Sequence, residues 1–267
     1  MSEAVGLIAG NGKLPHLIAS GIRAAGGSVV TIAHRGTTRK DLASRSAVLH
    51  WINIGELGKM IELLVREGVK KAIFAGAIPK THFFSNARPD ARGIQFLLRL
   101  KDRKDDSLLR AVADEVEGEG VAVISPIPYL EGSVAPAGCW TARKATEREE
   151  KDIDFGWAAA TAFGLLDVGQ CIVVKDQMVL AVEAIEGTDA TIRRGGRLGR
   201  GDVMAIKICK PKQDQRLDLP VIGPRTITTL KQAGASCLVV EAGKTVVVDR
   251  EEVVRRADAN RICLIGK

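Results

Sequence analysis

Long apolar runs, aromatic residues and paired cysteines are all scarce in this chain. No apolar segment approaches the roughly 18 residues of a membrane-spanning helix, and residues 1–10 lack the basic flank and cleavage site of a signal peptide, so we expect none. Aromatic residues make up only 4% of the sequence, which disfavours a nucleic-acid surface built on base stacking. The five cysteines are scattered without a C-x-x-C pair, which predicts reduced, buried thiols rather than disulfides or a zinc site.

The usual signatures of histidine-based catalysis are also missing. All four histidines fall in the first half of the chain: His16, His34, His50 and His82. There is no G-x-S-x-G elbow and no H-E-x-x-H pair, so serine hydrolase and zinc protease chemistries are excluded. Gly243-Lys244-Thr245 resembles the end of a Walker A loop, but Leu238 stands where the earlier glycine belongs and an apolar β-branched run follows. We therefore reject a P-loop.

What the chain does contain is the composition of a folded, basic protein. Its 267 residues are 46% hydrophobic and 27% charged, which excludes disorder as the main state. Lys and Arg number 39 against 32 Asp and Glu, so the net charge is +7. That charge favours anionic partners such as phosphorylated ligands or an acidic lipid surface.

Strand and helix signals alternate along the first half. Strands are predicted at Ala4–Ala9, Val29–Ala33, Val48–Ile54, Ala72–Ala75 and Val121–Ile124. Helices are predicted from Pro15 to Ala25 and over Glu56–Glu67, Ile94–Leu100 and Ser107–Val116. Strands separated by helices imply right-handed crossovers and a parallel sheet, so we predict a Rossmann-like nucleotide-binding domain over residues 1–130.

The second half has a different pattern of turn-forming and apolar residues. Proline and glycine punctuate the start of a linker that we predict over residues 131–150. A helix around Gly156–Leu166 and a hairpin around Asp176-Gln177 follow. We predict that residues 151–267 form a second, C-terminal α/β domain that carries catalysis, so the fold class is α/β with two domains.

A glycine loop in the first domain is the first candidate binding site. Gly10, Asn11, Gly12 and Lys13 lie between a predicted strand and the helix that begins near Pro15. Glycine lets the backbone approach a ligand, and unpaired N–H groups at a helix N-terminus attract phosphate. The alternative is an ordinary tight turn between strand and helix.

Carboxylates beside arginines are the second candidate site. Glu183, Glu186 and Asp189 follow a predicted strand, with Thr188 or Asp189 as a possible helix cap, and Arg193 and Arg194 come directly after them. Farther on, Asp218 stands between leucines in the string Arg216–Gly223. Such carboxylates suit Mg²⁺ and such arginines suit phosphate. Solvated turns and a structural salt bridge are the alternatives.

Several strings, taken together, match one family. They are Gly6–Pro15, Pro89–Gly93, Asp105–Arg110, Asp167–Gln170, Leu180–Arg194, Arg216–Gly223 and Glu241–Arg250. Across essentially its full length the chain resembles the LpxI type of UDP-2,3-diacylglucosamine pyrophosphatase, from lipid A biosynthesis.

This resemblance implies hydrolysis of UDP-2,3-diacylglucosamine to UMP and 2,3-diacylglucosamine 1-phosphate (lipid X), with a divalent cation, usually Mg²⁺. It implies a homodimer in the cytoplasm, in contact with the inner-membrane surface, and Asp218 occupies the family's essential acid position. We expect catalytic roles for Asp218, Arg193 and Arg194. The expected substrate-binding residues are Gly10, Asn11, Gly12, Lys13, Gln170 and Thr188. The expected metal ligands are Asp218, Glu183, Glu186 and Asp189.

Other function classes stay open at this point. A non-catalytic protein that senses a UDP-sugar or nucleotide would bind the same ligand without releasing UMP. An NADP oxidoreductase would rest on Arg35, but Pro15 replaces the third small residue of the dinucleotide fingerprint. A nucleic-acid binder is the least favoured, because the basic residues are scattered and aromatics are few.

Overall fold

The computed structural model describes residues 3–78, 88–100 and 105–267. It divides the chain into two units. The first contains residues up to Glu131 together with the short segment Asp214–Asp218, and the second contains Gly132–Gln213 and Leu219–Lys267. The chain therefore returns once to the first unit within the second half of the sequence. His82 lies outside the described residues.

A parallel sheet organises the first unit. Its strands are β1 (Ala4–Ala9), β2 (Ser28–His34), β3 (Val48–Ile52), β4 (Lys71–Ala75) and β5 (Ala122–Val123). Their spatial order is β3-β2-β1-β4-β5, and every neighbouring pair is parallel. The Rossmann-like prediction is therefore confirmed. The strand order reverses between β1 and β4, which is where open sheets of this kind bind ligands.

The helices of the first unit follow the predicted apolar patterns. They are α1 (Leu14–Ala24), α2 (Leu57–Arg66), α3 (Ala91–Arg99) and α4 (Asp105–Glu117), with 3₁₀ turns at Lys40–Arg45 and Ile127–Tyr129. One core cluster joins α2, α3 and α4 to the sheet. Helix α3 begins three residues earlier than predicted because Asp90 caps it, accepting the Gly93 N–H at 2.8 Å.

The sheet of the second unit is mixed. Its strands are β6 (Gly138–Cys139), β7 (Cys171–Lys175), β8 (Met178–Val182), β9 (Val203–Lys207), β11 (Ala235–Val240) and β13 (Cys263–Gly266), while β10 (Val221–Ile222) and β12 (Val246–Val247) form a separate parallel pair. The order is β6-β13-β11-β9-β7-β8, and β13, β11 and β9 are parallel. Strands β7 and β8 form the predicted hairpin, with Asp176 and Gln177 both at positive φ.

Helices cover both faces of this second sheet. They are α5 (Glu147–Leu165), α6 (Thr188–Gly199), α7 (Pro224–Gln232) and α8 (Arg250–Ala259). Alternate strand residues point to opposite faces, so Val174 and Ile206 pack with α5 while Val173 and Ala205 pack with α6 to α8. Among the helices described, none is long and apolar enough to cross a membrane.

Where the sequence suggests a linker over 131–150, the structure has β6 and the first turn of α5. A capping box begins this helix: Thr146 Oγ1 accepts the Glu149 N–H at 3.3 Å, and Glu149 accepts the Thr146 N–H at 2.8 Å. The two units divide between Glu131 and Gly132, and regular structure resumes at β6, within the stretch described as a linker from the sequence.

Candidate functional site

Strand directions bring three polar residues to one edge of the second sheet. Strand β9 ends at Lys207, which stands opposite Cys171 at the start of β7. Glu183 directly follows β8, and its N–H donates to the Cys171 carbonyl at 2.8 Å. Gln170 precedes Cys171, and its carbonyl accepts the Ile208 N–H at 2.9 Å. Because β7 is antiparallel to both β8 and β9, its beginning lies beside their ends.

Lys207 is the charged centre of this edge. It is only 6% exposed. Its ammonium donates to Thr188 Oγ1 at 3.2 Å and to the Val221 carbonyl at 3.1 Å, and both acceptors are uncharged. Among the described residues no carboxylate forms an ion pair with it. A buried cation with no carboxylate in direct contact is only partly neutralised, so an anion placed here would be bound favourably.

Thr188 links this lysine to a carboxylate. Its hydroxyl accepts from Lys207 and donates to Glu183 Oε1 at 2.9 Å. Glu183 is 8% exposed, and its second oxygen, Oε2, is buried without a hydrogen-bond partner. Gln170 Oε1 is a second buried acceptor in the same condition. Buried acceptors are normally satisfied, so both atoms fit a water molecule or a cation.

Helix α6 begins at the same place. Gly187 is its N-cap at φ 81°, and no side chain caps the first turn. The expected cap by Thr188 or Asp189 is wrong, because the Thr188 hydroxyl is directed to Glu183 instead. N–H groups at a helix N-terminus carry a partial positive charge, which adds to that of Lys207.

The arginines expected to hold phosphate lie on α6 rather than in a loop. Gly195, next to Arg194, serves the packing of this helix: a Cβ there would lie 2.5 Å from Val173, so the glycine permits close contact between helix and sheet. Arg194 donates to the Val182 carbonyl at 2.8 Å and to Glu186, and Arg193 is exposed. The hydrogen bond from Arg194 lowers the pKa of Glu186.

The four expected metal ligands do not form one cluster. Glu186 forms an ion pair with Arg194. Asp189 forms an ion pair with Arg225 at 2.8 Å and accepts a hydrogen bond from the Thr229 hydroxyl at 3.3 Å. Over the described ranges, no group of three or more His, Cys, Asp or Glu side chains could hold a metal ion. Glu183 Oε2 nevertheless fits a single carboxylate ligand, and Mg²⁺ commonly uses one or two carboxylates with substrate phosphates and waters.

Asp218 belongs to the first unit, whereas Glu183, Glu186 and Asp189 belong to the second. The flanking Leu217 is buried in the core of that unit, and Arg216 pairs with Asp214 at 2.8 Å and Glu117 at 2.9 Å. Asp218 itself is exposed, and its N–H donates to the Asp214 carbonyl at 3.2 Å. Asp218 is therefore accessible to solvent although both flanking leucines are buried.

The glycine loop lies at the reversal point of the first sheet. Gly10 donates to the Ala75 carbonyl at 2.7 Å and Asn11 to the Ala77 carbonyl at 2.8 Å. A Cβ on Gly10 would lie 2.6 Å from the Gly76 carbonyl oxygen, so this glycine is required by contact between two loops. Gly12 is exposed at φ 98° with open space beside it, and Lys13 is also exposed. The loop keeps an open side at the place where a nucleotide is expected.

Lys207 is the site residue that sequence reasoning missed. It looks like the polar end of an ordinary strand, and its burial appears only when β9 is placed between β7 and β11. The one available signal was a lone lysine that ends an otherwise apolar strand.

Fold and site together define a two-domain α/β protein, with a Rossmann-type sheet in one unit and a buried cation and carboxylate at the sheet edge of the other. The family model for the LpxI N-terminal domain matches residues 4–133, and that for the LpxI C-terminal domain matches residues 136–265. The chain belongs to the LpxI family.

A curated relative covers nearly the whole chain. UDP-2,3-diacylglucosamine pyrophosphatase LpxI of Caulobacter vibrioides is 38% identical over 273 residues, which span 98% of this chain and 96% of the relative. Among solved structures, the ADP-bound biotin carboxylase domain of a thermophilic 2-oxoglutarate carboxylase aligns at 10% identity with a TM-score of 0.26. That alignment covers 65% of this chain and 46% of the other.

Proposed function

We propose that this chain hydrolyses UDP-2,3-diacylglucosamine to UMP and 2,3-diacylglucosamine 1-phosphate in lipid A biosynthesis. The observation that carries the proposal is the 38% identity, over 98% of the chain, to a protein named for that activity. The buried ammonium of Lys207 supports it, because both groups that accept its hydrogen bonds are uncharged and a diphosphate substrate would supply negative charge there.

Water attacks the β-phosphorus in this scheme. A new P–O bond forms to the water oxygen, the bond from the β-phosphorus to the bridging oxygen breaks, and UMP leaves with that oxygen. Lys207 and the N-terminus of α6 hold the negative charge on the phosphate, and the Glu183 carboxylate is linked to Lys207 through the Thr188 hydroxyl. Asp218 acts as the essential acid residue, as the family resemblance implies. The exposed loop residues Gly12 and Lys13 would meet the nucleotide.

Mg²⁺ dependence is part of the proposal. Glu183 would hold the ion through its unpartnered Oε2, with substrate phosphate oxygens and waters as the other ligands. A bound Mg²⁺ neutralises phosphate charge and lowers the pKa of bound water. Glu186 and Asp189 are less suited to this role, because arginines already occupy them.

The deciding experiment measures UMP release from UDP-2,3-diacylglucosamine with Mg²⁺, with EDTA, and for Asp218→Ala. We expect release that depends on the metal and is lost in the variant. Tight binding of the substrate without release of UMP would instead identify a sensing protein. Reaction in ¹⁸O water tests the position of attack: label in the sugar 1-phosphate supports the β-phosphorus, and label in UMP contradicts it.

We also propose that the protein works as a homodimer in the cytoplasm, at the inner-membrane surface. The net charge of +7 supports contact with anionic lipid. Exposed apolar side chains near the end of α5, including Leu165 and Leu166, support burial against a second copy. Light scattering would give the mass in solution. Flotation with anionic and with neutral vesicles would detect charge-dependent membrane binding.

A further inference from the structure

Three of the cysteines lie together where β6 meets β13 in the second unit. The sulfur of Cys139 on β6 lies 3.7 Å from that of Cys263 on β13. Cys237 on β11 stands directly opposite Cys263 in the parallel ladder. Cys237 and Cys263 are buried as the sequence analysis expected, but Cys139 is exposed. The wide spacing of these residues along the chain gives no sign of the group.

The surroundings of Cys263 favour its thiolate form. Hydrogen bonds from Cys237, Cys139 and Thr141, together with the positive charge of Arg143, lower the pKa of Cys263 to about 6 despite its burial. A thiolate, rather than a thiol, is the nucleophile in disulfide chemistry. Cys263 is therefore the nucleophilic member of the group, and Cys139 is the member that solvent reaches.

Strand geometry places the two sulfurs on one face. Cys139 pairs with Ile265, so Cys263 lies two residues along β13 and points to the same side of the sheet. A disulfide bond needs the sulfurs to approach to about 2.05 Å. Strand β6 has only two residues and lies at the edge of the sheet, so it can accommodate that movement more readily than a central strand.

We propose that Cys139 and Cys263 form a reversible redox pair in which a peroxide oxidises Cys139 and Cys263 then closes a disulfide. In the first step the Cys139 sulfur gives up its proton and attacks one oxygen of the peroxide, the O–O bond breaks, and the departing oxygen takes up the proton, giving a sulfenic acid and, from hydrogen peroxide, one water. In the second step the Cys263 thiolate attacks the sulfenic sulfur, the S–O bond breaks, and the oxygen leaves as water after taking up a proton. Overall, two thiols are oxidised and one peroxide is reduced to two waters.

The neighbouring thiols do not replace either partner. Cys237 is fully buried, and the hydrogen bond that it donates to Cys263, together with that burial, raises its pKa, so it stays a thiol. Burial raises the pKa of Cys171 to about 12. Cys209 is buried just beyond the carboxyl end of β9. A disulfide formed by a thiolate attacking an exposed, oxidised sulfur therefore joins residues 139 and 263.

The test treats the full-length protein with graded hydrogen peroxide, blocks the remaining thiols, and maps disulfides by peptide mass spectrometry. We expect a Cys139–Cys263 peptide that disappears with dithiothreitol. Because the cross-link closes a sequence separation of 124 residues, the oxidised protein should melt about 5 °C or more above the reduced protein.

Cys139→Ser is the main variant, because its exposed site tolerates the change. It should fold normally and lose both the cross-link and the shift in Tm, whereas Cys209→Ser, a buried thiol outside the group, should keep both. Over-oxidation of Cys139 without a cross-link would overturn the proposal. So would a bridge that uses Cys237, or a bridge between two chains.

Discussion

Replacing Lys207 by methionine separates a phosphate-binding role from a structural one. Methionine keeps the length of the chain and removes the charge, so the cavity stays filled. If Lys207 holds charge that develops on the phosphate, kcat should fall by about 10²–10³, or about 2.7–4 kcal/mol of transition-state stabilisation. The assay is the initial rate of UMP release over a range of substrate concentrations.

The free energy of unfolding should change much less than the rate of catalysis in this variant. The change removes two hydrogen bonds, to Thr188 and to the Val221 carbonyl, each with a net value of about 1 kcal/mol. It also removes a buried charge that has no carboxylate partner among the described residues, which offsets much of that loss. We expect the free energy of unfolding to change by less than about 2 kcal/mol.

Lys175→Met is the matched control. Lys175 ends β7 at the opposite edge of the same sheet, and its ammonium donates to the carbonyls of Gly199 and Gly201, both at 3.0 Å, where α6 ends. Its loss should destabilise the fold by about 1–3 kcal/mol and leave kcat/KM within about threefold. A folded Lys207→Met enzyme with the rate of the wild type, or an equal loss of rate in both variants, would refute the assignment.

Three further predictions concern the residues that stabilise the fold of the second unit. Asp152 is buried on α5 and accepts hydrogen bonds from the backbone N–H groups of both hairpin-turn residues. The variant Asp152→Ala should therefore lower the free energy of unfolding in urea by about 2–4 kcal/mol, and a loss below about 1 kcal/mol would contradict that role. Burial alone would raise the pKa of Glu149, but hydrogen bonds from Arg143 and other donors lower this pKa overall. The ionised Glu149 therefore stabilises the fold at pH values above its unfolded-state pKa, and this stabilisation is lost as the pH falls through its folded-state pKa. Glu149→Gln should therefore flatten the acid side of a stability-against-pH curve, and an unchanged slope below pH about 5 would count against this. Gly195→Ala should lower stability by about 1–3 kcal/mol, seen as a lower Tm, because its Cβ would lie 2.5 Å from Val173; an unchanged Tm would show that helix and sheet separate freely.

The fold of the first unit was largely predictable because its signals are local. Pro15 marks a helix start and Gly26 a helix end, and each strand is a short apolar run between such marks. Parallel crossovers then leave few topologies to consider. The return of Asp214–Asp218 to the first unit was not predictable, because it depends on Leu217 packing into a core formed by residues far away in the sequence.

The candidate site was only partly predictable for the same reason. Glu183 and Thr188 follow a strand, and the end of a strand is a local signal. Lys207 belongs to the site because β9 is a central strand, which is decided by pairing with β7 and β11. The glycines beside Arg194 resemble a loop in the sequence, yet they serve the close packing of a helix, and this packing is also a property of the tertiary fold.

The polarity of the site favours a hydrolase over a protein that only senses its ligand. Thr188 has one hydroxyl proton and gives it to Glu183 while it accepts from Lys207, so the donor side and the acceptor side of the site are fixed. Binding a diphosphate requires only donors, which Lys207 and the α6 N-terminus supply. Hydrolysis also requires an acceptor beside the phosphate, for the proton of the attacking water or for a cation that binds it. The buried, unpartnered Oε2 of Glu183 is such an acceptor, so the site holds a group that hydrolysis requires and that binding of a diphosphate by donors alone does not.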